Sequence, residues 1–209
     1  MEGDLYSFDG VVSSRGKIQL YPPVYVKTGD KIGFDDFFGY MQMTPTKLKP
    51  NTIEAAEHVA RQSVRALGIR SSAVHVELLR TEDGWKVVEV GPRVGGFRHD
   101  LYKLSFGIDC TWNDIAIRIP EKITVNKKVK GHSALLKIYA KKEGTIKSIK
   151  GLKKVEALES MHKIIQAKAK GDKANFARNG GKAVFKFVVF NEDRSKLLAD
   201  IRRIEKELV

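Results

Sequence analysis

This chain of 209 residues has a single cysteine, Cys110, so it can form no internal disulfide and supplies no cysteine-based zinc site of its own. It has no long uncharged apolar run, and Met1-Glu2-Gly3-Asp4 opens without a basic stretch leading into an apolar one. Neither a membrane span nor a secretory leader is read from it, and the cytosol is the expected compartment. Repeats and low-complexity tracts are absent, which excludes a solenoid or a disordered linker. No Ser-His-Asp or Cys-His arrangement stands out, so no side-chain nucleophile is expected. What is present, 42% hydrophobic and 30% charged residues, is the composition of a globular chain with one ample core or two modest ones.

Acidic residues are comparatively few. Lys and Arg number 38 against 25 Asp and Glu, a net charge of +13 with pI near 9.7. Much of the excess follows residue 120, from Lys127-Lys128 through Lys173, without the aromatic interleaving of a base-stacking sheet. It reads either as a solvated lysine-rich surface or as a surface for anionic partners, nucleic acid among them.

Two of the acids, Glu77 and Glu89, lie in the most informative stretch. Val74-His75-Val76-Glu77, a turn at Glu82-Asp83-Gly84, and Val87-Val88-Glu89-Val90-Gly91 read as a hairpin with β-branched arms. A three-residue loop pairs Thr81 with Trp85 and, counting outward, sets Glu77 directly across from Glu89. Like charges opposed at about 5 Å between Cβ atoms repel. A divalent metal or a shared proton reverses that penalty; the alternative is a solvated face where each glutamate meets a Lys or Arg. Past the second arm, Gly91-Pro92 breaks the ladder, Arg93 adds a cation, and Gly95-Gly96 allows close backbone approach before a helical run from Phe97. Helix N-termini offer N–H groups to anions, so the span suits a metal-bound phosphate. His75, two residues before Glu77, shares its face and can contact phosphate or orient a carboxylate.

His75-Val76-Glu77 followed by Val88-Glu89-Val90-Gly91-Pro92-Arg93-Val94-Gly95-Gly96 resembles the signature of the ATP-grasp ligases, in the branch of the L-amino-acid ligases, carbamoyl-phosphate synthase and biotin carboxylase. Glu2 to Val11 resembles the strand after that family's interdomain hinge. The resemblance implies ATP and Mg2+, or Mn2+, as cofactors, with Glu77 and Glu89 as metal ligands. It implies Arg93 as the catalytic cation and His75, Gly95 and Gly96 beside the bound nucleotide. The implied reaction joins a small-molecule carboxylate to an amine, or to a thiol, through an acyl phosphate. Gly91 stands where the family usually has the asparagine that completes the metal shell. The family's glycine-rich loop, phosphate-binding lysines and acidic hinge residue are not identified, so only the carboxy-terminal part of the enzyme is matched. The expectation is a fragment or split-gene product that turns over poorly without an upstream polypeptide half. The competing reading is a noncatalytic basic binding module, for nucleic acid or a regulatory partner, that retains the ligase fold. A homo-oligomer is compatible with either.

The expected fold is α+β: an antiparallel sheet with packed helices over residues 1–126, and a small basic α+β cap over 127–209. Leu5 to Val26 reads as a half-buried hairpin turning at Ser13-Ser14-Arg15-Gly16, and Thr28 to Pro50 as an irregular lid or substrate loop with Phe34, Phe37, Phe38 and Tyr40. Asn51 reads as the N-cap of a helix whose apolar face is Ile53, Ala56, Val59, Ala60, Val64 and Leu67, ended by Gly68 and packed opposite the carboxylates against Val74 and Val76. After the glycines, Arg98, His99, Asp100, Tyr102 and Lys103 form the polar face of a helix. In the cap, Gly131 to Ala140 pairs with Thr145 to Ile149, Leu152 to Lys170 is a helix, Asn179-Gly180-Gly181 a turn, Ala183 to Phe190 a strand, and a last helix runs through Leu197, Leu198, Ile201, Ile204 and Leu208.

Overall fold

The computed structural model describes residues 2–33, 38–119, 121–140, 142–177 and 181–207; Phe34, Phe37, Asn179, Gly180 and Leu208 lie outside them. In chain order the elements are β1 (Asp4–Val12), β2 (Ile18–Leu20), β3 (Val24–Thr28), a 3-10 turn (Gly29–Ile32), β4 (Gly39–Thr44), α1 (Pro50–Ala66), β5 (Ser72–Thr81) and β6 (Gly84–Gly91). There follow α2 (Arg98–Phe106), α3 (Cys110–Ala116), β7 (His132–Ile138), β8 (Gly144–Thr145), α4 (Leu152–Glu156), β9 (Met161–Gln166), β10 (Lys173–Ala174), β11 (Phe185–Asn191) and α5 (Arg194–Glu207). The chain is α+β, with antiparallel sheet and packed helices. It divides into two compact units, residues 1–26 with 43–130, and residues 27–42 with 131–209.

In the first unit the strand order is β6-β5-β1, with β2 and β3 on the far side of β1, all antiparallel. Alternation decides which face each side chain takes. Phe8, Val12, Val74, Val76 and Leu78 meet Ala56, Ala60 and Val64 of α1 in one buried cluster, as the helical spacing predicts. Leu67 is left out of that cluster and exposed. α1 begins one residue before the expected cap, with Pro50 in its first turn and no side-chain cap at Lys49. Proline suits that position because its fixed φ fits the helix and its missing N–H would have had no partner there. Leu67 closes the helix, and Gly68 follows at φ +63°. β1 is not half-buried: every residue from Leu5 to Val12 is buried, because it is flanked by strands on both edges and covered on both faces. In the loop expected from Thr28 to Pro50, β4 is a regular strand.

In the second unit the order is β4-β7-β11-β9, with α5 packed on β11 and β7. Leu197, Ile201 and Ile204 form the buried stripe of α5. β7 has both edges filled, by β4 and β11, so the segment after it finds no edge there; β8 pairs with β10 instead. The expected helix from Leu152 to Lys170 divides into the five-residue α4 and the strand β9. Ile164 and Ile165 sit at positions that suit either period, and pairing with Phe187 and Lys186 along the free edge of β11 overrides the helical pattern.

Candidate functional site

Glu77 of β5 and Glu89 of β6 are directly opposed. The route to that register differs from the expected one. The loop holds two residues, with Thr81 opposite Gly84 and Arg80 opposite Trp85, and a bulge between Glu77 and Leu78 restores the count at Glu89. A shorter loop and an extra residue offset each other.

On β1, the residues opposite His75 and Glu77 are Asp9 and Ser7, so Ser7, Asp9, His75, Glu77 and Glu89 share the face away from α1. His75 is nearly buried between two acids: Nδ1 lies 3.2 Å from both Asp9 oxygens and Nε2 lies 3.2 Å from Glu77 Oε1. Burial opposes a charge on the imidazole, but the hydrogen bonds to Asp9 and Glu77 outweigh it and lift its pKa to about 9. His75 is therefore a cation at neutral pH that donates to both acids. The same contact holds the Glu77 carboxyl below the usual carboxylate range.

Glu89 is half-exposed and accepts a 2.7 Å hydrogen bond from Arg93 Nη2. Gly91 is buried, with the Arg93 side chain 3.4 Å from where a Cβ would stand, and position 91 offers no side-chain ligand. Gly95 donates its N–H to Asp9 Oδ1 at 2.7 Å, while Gly96 is exposed, with nothing within 4 Å of where a Cβ would stand. α2 starts after Phe97, which takes a left-handed conformation at φ 62°. Arg98 and Tyr102, expected on the polar face of this helix, are buried: Arg98 Nε lies 3.3 Å from Asp9 Oδ2, its Nη2 donates to Ser7 Oγ at 2.8 Å, and Tyr102 donates to the Pro22 carbonyl. Cys110 is also buried, and burial pushes its thiol pKa far up, so it offers no nucleophile.

Asp9, Ser7 and Arg98 are the members that sequence reading left unassigned. The alternation Ser7-Phe8-Asp9 in a buried strand is a signal for the first two, since a carboxylate on such a strand needs a partner. The donor chemistry of Glu77 and Glu89, two carboxylates brought together by register, fits a hard cation that keeps several waters. Among the described residues no group of three or more His, Cys, Asp or Glu side chains is arranged as a metal cage. No helix among the described residues is long and apolar enough to cross a membrane.

Residues 1–100 match the family model described as the ATP-grasp domain. The whole chain superposes on an L-amino acid ligase from Bacillus licheniformis with TM-score 0.89 at 21% identity, covering 52% of that chain. It likewise superposes on phosphoribosylglycinamide synthetase from Anaerococcus prevotii, TM-score 0.76, 16% identity and 53% of that chain. The match to biotin carboxylase from Campylobacter jejuni, a complex with β-γ-ATP, has TM-score 0.67 and 16% identity over 46% of that chain. A curated relative, the uncharacterized protein y4rH of Sinorhizobium fredii, is 29% identical over 123 residues, which are 58% of this chain and 26% of that protein. The chain thus spans about half the length of these solved structures and a smaller part of that relative.

Proposed function

From a chain that is ATP-grasp in fold throughout and matches the ATP-grasp domain over residues 1–100, we propose part of an ATP-dependent ligase that joins a carboxylate to an amine, or to a thiol, through an acyl phosphate. The observation that carries this reading is the direct opposition of Glu77 and Glu89, with Arg93 on Glu89. Glu77 and Glu89 would hold magnesium, or manganese, which when bound neutralises the ATP phosphates and orients them for transfer. His75 positions the Glu77 carboxylate through Nε2. Arg93, which donates to Glu89, would stand beside the metal-binding pair and supply positive charge to the transferred phosphoryl group. Gly96 leaves the outer side of the turn open to a phosphate, and Gly95 keeps the turn close to the strands. The remaining nucleotide contacts are assigned to an upstream polypeptide half, and the proposed compartment is the cytosol.

The test is calorimetry with a non-hydrolysable ATP analogue, with and without Mg2+, on this chain and on a Glu77→Gln, Glu89→Gln double variant. The expected result is magnesium-dependent binding that the variant loses by about tenfold or more, the scale of a removed charge-assisted contact. Equal affinity of the two chains, or binding indifferent to magnesium, overturns the proposal. A second reading, a noncatalytic basic module, is favoured by the net charge of +13 and by glycine at position 91.

A further inference from the structure

Asp9 is 1% exposed, in the middle of β1, yet it is the most connected acid of the site. Its carboxylate receives the Gly95 N–H at 2.7 Å and faces His75 Nδ1 at 3.2 Å and Arg98 Nε at 3.3 Å. These partners come from three separate places: β5, the turn after β6, and the first residue of α2. The packing leaves no slack. A Cβ at Gly95 would stand 2.5 Å from His75 Nδ1, 2.8 Å from Arg98 Cγ and 2.8 Å from Asp9 Oδ1. A buried carboxylate needs such compensation, and partners that converge on it from three elements hold it in one arrangement.

We propose that Asp9 is a positioning residue for the metal-phosphate site, a role that rests on the functional reading above. It touches neither the metal nor the phosphates. It acts through His75, which orients Glu77, and through Gly95, which pins the turn that follows Glu89 and carries Arg93. By fixing both sides at once, Asp9 sets the separation of the two metal-binding carboxylates. Arg98, held in turn by Ser7, braces the Asp9 carboxylate from the side of α2.

Mn2+ is a suitable probe, because a bound paramagnetic ion broadens the amide resonances of nearby residues and needs no nucleotide. The wild-type chain should show selective broadening at Glu77 and Glu89, absent in Glu77→Gln. Asp9→Asn and Arg98→Met should each need about tenfold more Mn2+ for the same broadening, as expected when a group that orients a metal ligand is removed. The two variants change the local charge in opposite directions, so a purely Coulombic effect would weaken one and strengthen the other. Val64→Ala, a core truncation in α1 away from the site, controls for lost stability and should bind as wild type. Should Arg98→Met fail to fold, Ser7→Ala loosens the same guanidinium without altering charge and is expected to weaken Mn2+ in the same sense. Opposite shifts in Asp9→Asn and Arg98→Met, wild-type affinity in Asp9→Asn, or an equal loss in Val64→Ala overturns the positioning role. Absence of selective broadening in the wild type, or its persistence in Glu77→Gln, overturns the metal reading itself and this role with it.

Discussion

His75 has an acid at each ring nitrogen and almost no contact with water, so its charge is tied to the fold. Its folded pKa of about 9 lies above the ordinary histidine value of about 6.5, so the folded chain holds this proton more tightly than the unfolded one. The stabilisation is complete below the unfolded value and is lost as pH rises through about 9. Urea midpoints of the metal-free chain should therefore fall from pH 6.5 to 9.5, by up to about 1.4 kcal/mol of stability per pH unit, and a His75→Gln variant should lack that slope. A wild-type midpoint flat across this range contradicts the charged imidazole. That His75 and Glu77 share a face was legible in their spacing. The second acid, Asp9, was not, because its contact with His75 joins positions 66 residues apart.

The turn from Gly91 to Phe97 shows how two neighbouring glycines answer different needs. At Gly95 an added methyl group meets His75, Asp9 and Arg98 within 2.8 Å; at Gly96 it meets nothing within 4 Å. Gly95→Ala should cost about 1–3 kcal/mol, as overpacking of a buried site does. Gly96→Ala should stay within about 0.5 kcal/mol of wild type, as open surface positions do. Urea unfolding of the two variants checks the contrast, and equal effects would contradict this packing. The pair Gly95-Gly96 was visible as a place of close approach, but what approaches Gly95 is the protein's own buried acid. In the second unit, the apolar spacing from Leu152 to Lys170 read as one helix, whereas the free edge of β11 draws Met161–Gln166 into a strand. Spacing of three and four does not separate a short strand from a helix when the deciding partner lies elsewhere in the chain.

At the level of the whole molecule, charge is uneven. Residues 131–209 contain 19 Lys and Arg against nine Asp and Glu. Such a surface attracts polyanions through counterion release, and that attraction falls steeply with salt. The chain should bind heparin at low salt and leave it at moderate salt, without competition from a magnesium-bound ATP analogue. Competition would mean that the lysine-rich surface and the nucleotide site are one, and retention at high salt would favour the binding-module reading. The ligase proposal and a nonspecific basic surface are thus separable in one chain.

The amino-acid sequence alone determined the opposed pair Glu77 and Glu89, the apolar face of α1 against Val74 and Val76, and the exclusion of an internal disulfide. Each is a local matter: strand alternation, helical spacing, or residue type. Even the register of the hairpin survived a miscounted loop, because a bulge in β6 absorbed the extra residue. Only the tertiary structure decided that β1 is buried on both faces, that Arg98 turns inward, and that Asp9 gathers donors lying 66 and 86 residues away. A buried charge is tolerable only where its partners converge, and that convergence is a property of the folded chain, with no counterpart in the spacing of residues along it.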